Sequence, residues 1–195
     1  MILYVATKNK HKLKEIGQIL TGFEVVSAYD HITKDMDVEE TGNTFLENAS
    51  LKARTLSRML DGYVIADDSG LSVDVLDGAP GVYSARFAGQ NATDDDNNHK
   101  LLKVMQSVPD EARGASFICV IALAKGGMVE KTFGGICQGE VAREYKGSNG
   151  FGYDVIFRLP DGRHMAELSE EEKNSISHRN MALQSLKEYL EGKTG

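Results

Sequence analysis

Residues 64–75 read VIADDSGLSVDV, an apolar run that ends in two adjacent carboxylates followed at once by a serine and a glycine. A short apolar run bounded by polar residues is typical of an interior strand. A buried carboxylate normally has a partner, a metal or water, because burying it alone is costly. The sequence therefore predicts a strand that delivers Asp67 and Asp68 to a place where another group compensates their charge.

Strand and helix patterns alternate on both sides of this strand. Strands are predicted at ILYVAT (2–7), YVIADD (63–68) and FGYDVIF (151–157), with a hairpin of two strands around Gly126 and Gly127. Helices are predicted at 10–20, from Thr44 onwards, from Thr93 to Val108 and at 176–190. In the last helix, Ala182, Leu183, Leu186, Tyr189 and Leu190 are expected to face inward. The fold class predicted is α/β, with a mixed central sheet flanked by helices.

Composition limits the possible functions. The 195 residues are 41% hydrophobic and contain no repeat or linker, which favours one domain over residues 1–195. The first apolar stretch is too short for a signal peptide and no segment has membrane-spanning length, so a cytoplasmic protein is expected. A net charge of -7 disfavours binding to nucleic acid. Cys119 and Cys137 show no metal-binding spacing and are interpreted as buried thiols.

A basic cluster follows the first predicted strand. Five of the seven residues from 8 to 14 in TKNKHKLKE (7–15) are Lys or His, and they lie where the first helix begins. Backbone N–H groups at a helix start favour anions, so the cluster suggests phosphate binding, although a solvated helix face is the alternative. The GxxxxGK[ST] pattern of a P-loop is absent.

An acidic segment precedes the second helix. In DMDVEETG (35–42) the carboxylates are Asp35, Asp37, Glu39 and Glu40. Mg²⁺ typically takes one or two protein carboxylates plus substrate phosphate oxygens, so one from this segment and one from 67–68 would suffice. Successive strand residues point to opposite faces, which leaves one of the two aspartates for another task, such as orienting a neighbour. A plain polar loop at 35–42 is the alternative.

Two later segments are suited to a flat ligand. GSNGFGYD (147–154) surrounds two aromatic residues with glycines, which allows backbone to approach a ligand beside a stacking surface. SHRNM (177–181) places His178 and Arg179 in the first turn of the last helix, where the helix dipole disfavours cations. A glycine-rich turn with core aromatics, and a solvent-exposed helix start, are the respective alternatives.

These segments together resemble the inosine triphosphate pyrophosphatase family. TKNKHK, EETGNTFLENASLKA, ADDSGL, GAPGVYSARF, GFGYD and EEKNSISHR occur in the family's order and span nearly the whole chain. The resemblance implies Mg²⁺-dependent hydrolysis of ITP, dITP and XTP to the monophosphate and pyrophosphate. It also implies an elongated two-lobed fold with the site in the cleft between lobes, and a homodimer.

The resemblance also implies roles for single residues. Glu39 and Asp68 match the metal ligands, and Asp68 matches the general base. Because a metal-bound carboxylate is a poorer proton acceptor, Asp68 is assigned either role, and Glu40 or Asp67 could replace the assigned acids. The substrate-binding residues implied are Thr7, Lys8, Asn9, Lys10, His11, Lys12, Lys52, Ser69, Phe151, Gly152, Tyr153, Asp154, Lys173, His178 and Arg179.

Base selection is expected at the purine edge. Hypoxanthine and xanthine carry an acceptor oxygen at position 6 where adenine has an amino group, so donors from His178 and Arg179 would favour the first two. The resemblance implies that Phe151 stacks on the base, with Asp154 and Lys173 in contact. Two other functions remain open, a Maf-like pyrophosphatase acting on other bases and a nucleotide-binding module without turnover.

Overall fold

Six strands form one mixed sheet in the computed structural model, which describes residues 1–33 and 37–194. The strands are β1 (Ile2–Val5), β2 (Glu24–Ser27), β3 (Tyr63–Val73), β4 (Gly114–Lys125), β5 (Met128–Val141) and β6 (Phe157–Arg158). Their order in the sheet is β2-β1-β3-β4-β5-β6. β1 is parallel to β2 and to β3, whereas β6 is antiparallel to β5. The predicted α/β class with a mixed sheet is confirmed.

The four predicted helices are present, together with a short helix that was not predicted. They are α1 (Lys10–Ile19), α2 (Phe45–Leu56), α3 (Asp94–Val104), α4 (Glu170–Ile176) and α5 (His178–Thr194). Thr44 and Glu47 form the predicted capping box at the start of α2, and Thr93 caps α3. Within the described ranges, no helix is both long and apolar enough to cross a membrane.

The predicted strand at 151–157 is mostly wrong. Only Phe157–Arg158 is extended, after a turn at 151–153 and a 3₁₀ turn at Asp154–Ile156. Gly150 and Gly152 adopt left-handed φ values of 74° and 61°. These backbone conformations interrupt a strand, even though the alternation of aromatic residues favours one. The sequence reading also missed β2 and α4, which are only 4 and 7 residues long.

The chain divides into two compact units. Unit 1 comprises Met1–Asp68, Cys119–Gly135 and His178–Gly195, and unit 2 comprises Ser69–Ile118 and Ile136–Ser177. Each unit has its own apolar core, and the α5 residues Ala182, Leu183, Leu186 and Leu190 lie in that of unit 1 with no exposed surface, as predicted. Tyr189 is only partly buried against the same core. Cys119 and Cys137 are buried thiols, also as predicted.

Candidate functional site

Asp67 lies at the centre of a buried charge network in unit 1. Its Oδ1 is 2.5 Å from Lys12 Nζ, and its Oδ2 accepts hydrogen bonds from Arg179 Nε and Cys119 Sγ, both at 3.0 Å. Arg179 Nη1 forms a second ion pair, with Glu15. Because two cations and a thiol surround one carboxylate, the charge of Asp67 is compensated within the protein.

The network sets the protonation of its members. Burial alone would raise the pKa of Asp67, but Arg179 and Lys12 outweigh it and hold that pKa well below its usual range. Burial likewise opposes the charge of Arg179, whose pKa is nevertheless raised by Asp67. Burial and the Asp67 carboxylate raise the pKa of the Cys119 thiol. Cys119 therefore acts as a neutral donor.

Asp68 has different surroundings. Lys52 Nζ is 3.9 Å from Asp68 Oδ1, and the same ammonium group binds Glu40 Oε1 at 2.6 Å and the carbonyl of Asp67 at 2.8 Å. Asp68 Oδ2 is buried and accepts no hydrogen bond from residues 1–33 or 37–194. Burial raises the pKa of Asp68 to about 6, with Lys52 opposing the shift and Glu40 adding to it. Because successive side chains of a strand point to opposite faces of the sheet, Asp67 and Asp68 have different surroundings, as predicted.

The acids around Lys52 suit a divalent metal. Two carboxylates, Glu40 and Asp68, flank one ammonium group, and the buried Asp68 Oδ2 has no hydrogen-bond donor among the residues that the structure describes. Mg²⁺ needs only one or two such ligands when waters and phosphates supply the rest. The described residues contain no group of three or more His, Cys, Asp or Glu side chains arranged for a metal ion. Glu39 is exposed, and Asp35 lies outside the described residues.

The basic segment lies at the start of α1, as predicted, but the N-cap residue already binds two of the backbone N–H groups that could bind an anion. Asn9 is the N-cap, and its Oδ1 accepts from the N–H groups of His11 at 2.9 Å and Lys12 at 3.2 Å. Thr7 Oγ1 accepts from the Asn9 N–H at 3.1 Å. Lys8 lies 3.5 Å from Asp37. A phosphate at this helix start would therefore share donors with Asn9.

A second group of predicted residues lies in unit 2. Lys173 Nζ is 2.7 Å from Asp154 Oδ2 and 4.5 Å from the centre of the Phe151 ring. Asp154 Oδ2 also accepts from the Phe151 N–H at 3.1 Å. The buried Tyr153 hydroxyl donates to the Ser84 carbonyl at 2.7 Å. Phe151 and Ser69 are half-buried.

His178 and Arg179 begin α5, as predicted, and both are buried. Their burial contradicts the alternative of a solvent-exposed helix start. Arg179 uses Nε and Nη1 on the carboxylates of Asp67 and Glu15, which supports a role in holding the network. The sequence reading missed Cys119 and Glu15, because no local pattern connects either residue to Asp67.

Comparisons with known proteins agree with this architecture. The model of the Ham1 family matches residues 3–189. The dITP/XTP pyrophosphatase of Oceanobacillus iheyensis is 47% identical over 96% of this chain and 97% of its own length. That of a Thermoanaerobacter species is 49% identical over 97% and 96%, respectively.

Solved structures give the same result. The Ham1 protein of Staphylococcus aureus superposes with a TM-score of 0.88 at 43% identity, covering 99% of this chain and all of the other. The HAM1 protein of Coxiella burnetii has a TM-score of 0.88 at 41% identity, with coverage of 98% and 99%. The resemblance drawn from the sequence motifs is confirmed, and with a match along nearly its whole length the chain belongs to the Ham1 family.

Proposed function

We propose that this chain hydrolyses deaminated purine nucleoside triphosphates, namely ITP, dITP and XTP, to the monophosphate and pyrophosphate. Relatives nearly half identical to it are named dITP/XTP pyrophosphatases. The observation that carries the proposal is the buried Asp68 carboxylate, which lies beside Lys52 and Glu40 and has one oxygen that accepts no hydrogen bond from the described residues. Such a carboxylate is suited to a metal or to a proton.

Asp68 and an acid of the 37–42 segment would hold Mg²⁺. The ion would supply positive charge to the phosphate oxygens and lower the pKa of a bound water. Glu40 is the better placed acid because it already shares Lys52 with Asp68, although the family resemblance implies Glu39. The matched variants Glu39→Gln and Glu40→Gln decide between them, and we expect Glu40→Gln to weaken Mg²⁺ binding more, as measured by calorimetry.

The phosphates and the base have separate sets of binding residues. Lys12, Lys52 and the segment from Thr7 to His11 would bind the phosphates through charge and backbone N–H groups. Phe151 would stack on the base, with Asp154 and Lys173 at its edge and Ser69, Gly152 and Tyr153 nearby. His178 and Arg179 remain the predicted donors to the 6-oxo group.

Steady-state hydrolysis of ITP, dITP, XTP, GTP and ATP with Mg²⁺ tests the proposal, with pyrophosphate and orthophosphate measured separately. Pyrophosphate released from the deaminated purines in preference to GTP and ATP is the expected result. Orthophosphate as product, preference for ordinary nucleotides, or no turnover would contradict it. Asp68→Asn should have no measurable turnover while its circular dichroism matches that of the unmodified protein.

The assembly and location of the protein are part of the proposal. We expect a homodimer in the cytoplasm, with a mass by light scattering about twice the 21.3 kDa of one chain. A mass of one chain at working concentration would contradict the dimer.

A further inference from the structure

We infer that Asp94 and Asn98, one turn apart on α3, are positioning residues that fix the base-stacking ring of Phe151 by holding Gly152 on both sides. The Gly152 N–H donates to Asp94 Oδ2 at 2.8 Å, and Asn98 Nδ2 donates to the Gly152 carbonyl at 2.9 Å. Residues four apart share one face of a helix, so a single turn of α3 supplies both contacts. The inference rests on the proposed function, which makes Phe151 a base platform.

The loop that carries Phe151 needs such anchors. Gly147, Gly150 and Gly152 have φ values of 86°, 74° and 61°, and glycine loses more conformational freedom on ordering than any other residue. At Gly150 an added Cβ would lie 2.1 Å from Asp154 Oδ2, so close packing restricts that position. At Gly152 an added Cβ would meet no atom of the described residues within 4 Å. Hydrogen bonds therefore hold Gly152 where packing does not.

Phe151 is fixed from two directions. Asp154 accepts from its N–H, and the Lys173 ammonium group lies 4.5 Å from the centre of its ring. On the other side the chain continues directly into Gly152, so a rotation about the Gly152 backbone would move the ring. The two α3 side chains prevent that rotation.

The chemistry of Asn98 supports this role. The side chain is 2% exposed, and its Oδ1 accepts no hydrogen bond from the described part of the chain. A buried acceptor without a donor costs stability, so the oxygen of this amide does not help the fold. The amide group contributes instead through its NH₂, which donates a hydrogen bond to the Gly152 carbonyl.

The adjacent residue offers a matched control. Asn97 is also 2% exposed, donates to the Ala85 carbonyl at 3.0 Å and accepts from the Ala88 N–H at 2.7 Å. Asn98→Asp and Asn97→Asp each remove one amide donor from the same turn at equal burial. Only the first changes a contact to Gly152.

The experiment measures KM and kcat for dITP, the dissociation constant for inosine monophosphate by calorimetry, and the melting temperature of each variant. Asn98→Asp should raise KM and the dissociation constant about tenfold with kcat within about twofold, as expected when binding that is equal in the ground state and the transition state is lost. Asp94→Ala should do the same, and Asp94→Asn should recover most of the affinity because its amide oxygen can still accept. Asn97→Asp should lower the melting temperature without changing KM.

Two results would overturn the inference. One is an unchanged KM and dissociation constant in both Asn98→Asp and Asp94→Ala, and the other is an equal rise in Asn97→Asp. If the unmodified protein has no dITP turnover, the proposed function fails while the inosine monophosphate measurement still tests the positioning role. If the unmodified protein also fails to bind the monophosphate, both fail.

Discussion

At the scale of single residues, two neighbouring aspartates have acquired opposite properties. Asp67 receives donors from Lys12, Arg179 and Cys119, and its pKa is held low. Asp68 keeps a buried oxygen without a donor among the described residues, and its pKa rises to about 6. Paired acids whose surroundings separate their pKa values are a common arrangement at sites of proton and metal chemistry.

Asp68→Asn should stabilise the metal-free protein while abolishing hydrolysis. The pKa of Asp68 is raised from 3.8 to about 6, so above pH 6 its ionised form costs the fold about 3 kcal/mol. The asparagine side chain removes that charge. Chemical unfolding at pH 8 in the presence of a chelator measures the gain.

The pH dependence of this gain has a definite sign. A group whose pKa is higher in the folded state favours folding below its unfolded pKa of 3.8, and this contribution is lost as the pH rises through about 6. The advantage of Asp68→Asn should therefore shrink to about half at pH 5. Excess Mg²⁺ should raise the melting temperature of the unmodified protein more than that of the variant. An equal gain in stability at pH 8 and pH 5 would contradict a raised pKa for Asp68.

Asp67→Asn should have the opposite effect on stability. Removing one partner of a buried ion pair leaves the other uncompensated, and here Arg179 is 1% exposed. The expected loss is about 3 to 5 kcal/mol, measured by urea unfolding. As a control, Cys119→Ala removes the thiol donor without changing any charge, so its loss should be smaller, about 1 to 2 kcal/mol. Comparable losses in the two variants would contradict a network dominated by charge.

At the scale of elements, consecutive glycines in β5 have different tasks. A Cβ added to Gly135 would lie 2.0 Å from the His178 carbonyl, where α5 begins, and 2.9 Å from the Met181 side chain. Among the described residues, a Cβ added to Gly134 would meet only the Cys119 carbonyl, at 3.9 Å. The absence of a side chain at Gly135 therefore allows β5 to approach α5, whereas the space beside Gly134 can hold a methyl group.

Gly135→Ala and Gly134→Ala should change stability in opposite directions. The first forces backbone atoms apart and should cost about 3 kcal/mol, with impaired hydrolysis because α5 begins with His178 and Arg179. The second restricts the unfolded chain without a clash and should gain about 0.5 kcal/mol. Thermal unfolding of the pair distinguishes these effects, and similar losses in both would contradict the close approach.

At the scale of the whole molecule, the chain is acidic, and the basic side chains of the candidate site are paired with its own carboxylates. The net charge is -7, and Lys12, Lys52 and Arg179 are each paired with a carboxylate. Nucleic acid binding depends on exposed basic surface that releases counterions. A bound polyphosphate, in contrast, needs only a few local donors.

The protein should therefore distinguish polyphosphate from DNA. Anisotropy with a labelled duplex at 0.15 M salt should show no binding at micromolar protein, because the overall field repels the duplex. Tripolyphosphate with Mg²⁺ should inhibit hydrolysis competitively under the same conditions. Duplex binding at this salt concentration would contradict the expectation from charge.

Much of the architecture could be predicted from local patterns. The strand predicted at 63–68, which continues to Val73 in the structure, depends on residues close together in the sequence. The same holds for the capping box of α2, the Thr93 cap of α3 and the inward face of α5, where side-chain period and capping chemistry act directly. The turn at 151–153 was misread because alternating aromatics favour a strand, while the glycines and the contacts that fix them lie outside that pattern.

The sequence by itself determined the α/β class, the family and the segments that carry charge, because each depends on local periodicity or on a series of motifs. Only the tertiary structure decided which charges meet. Asp67 is joined to Cys119 and Arg179, which follow it by 52 and 112 residues, and Lys52 selects Glu40. Such pairings depend on how strands and helices pack, and residues that pair across long sequence separations follow no periodic pattern in the sequence.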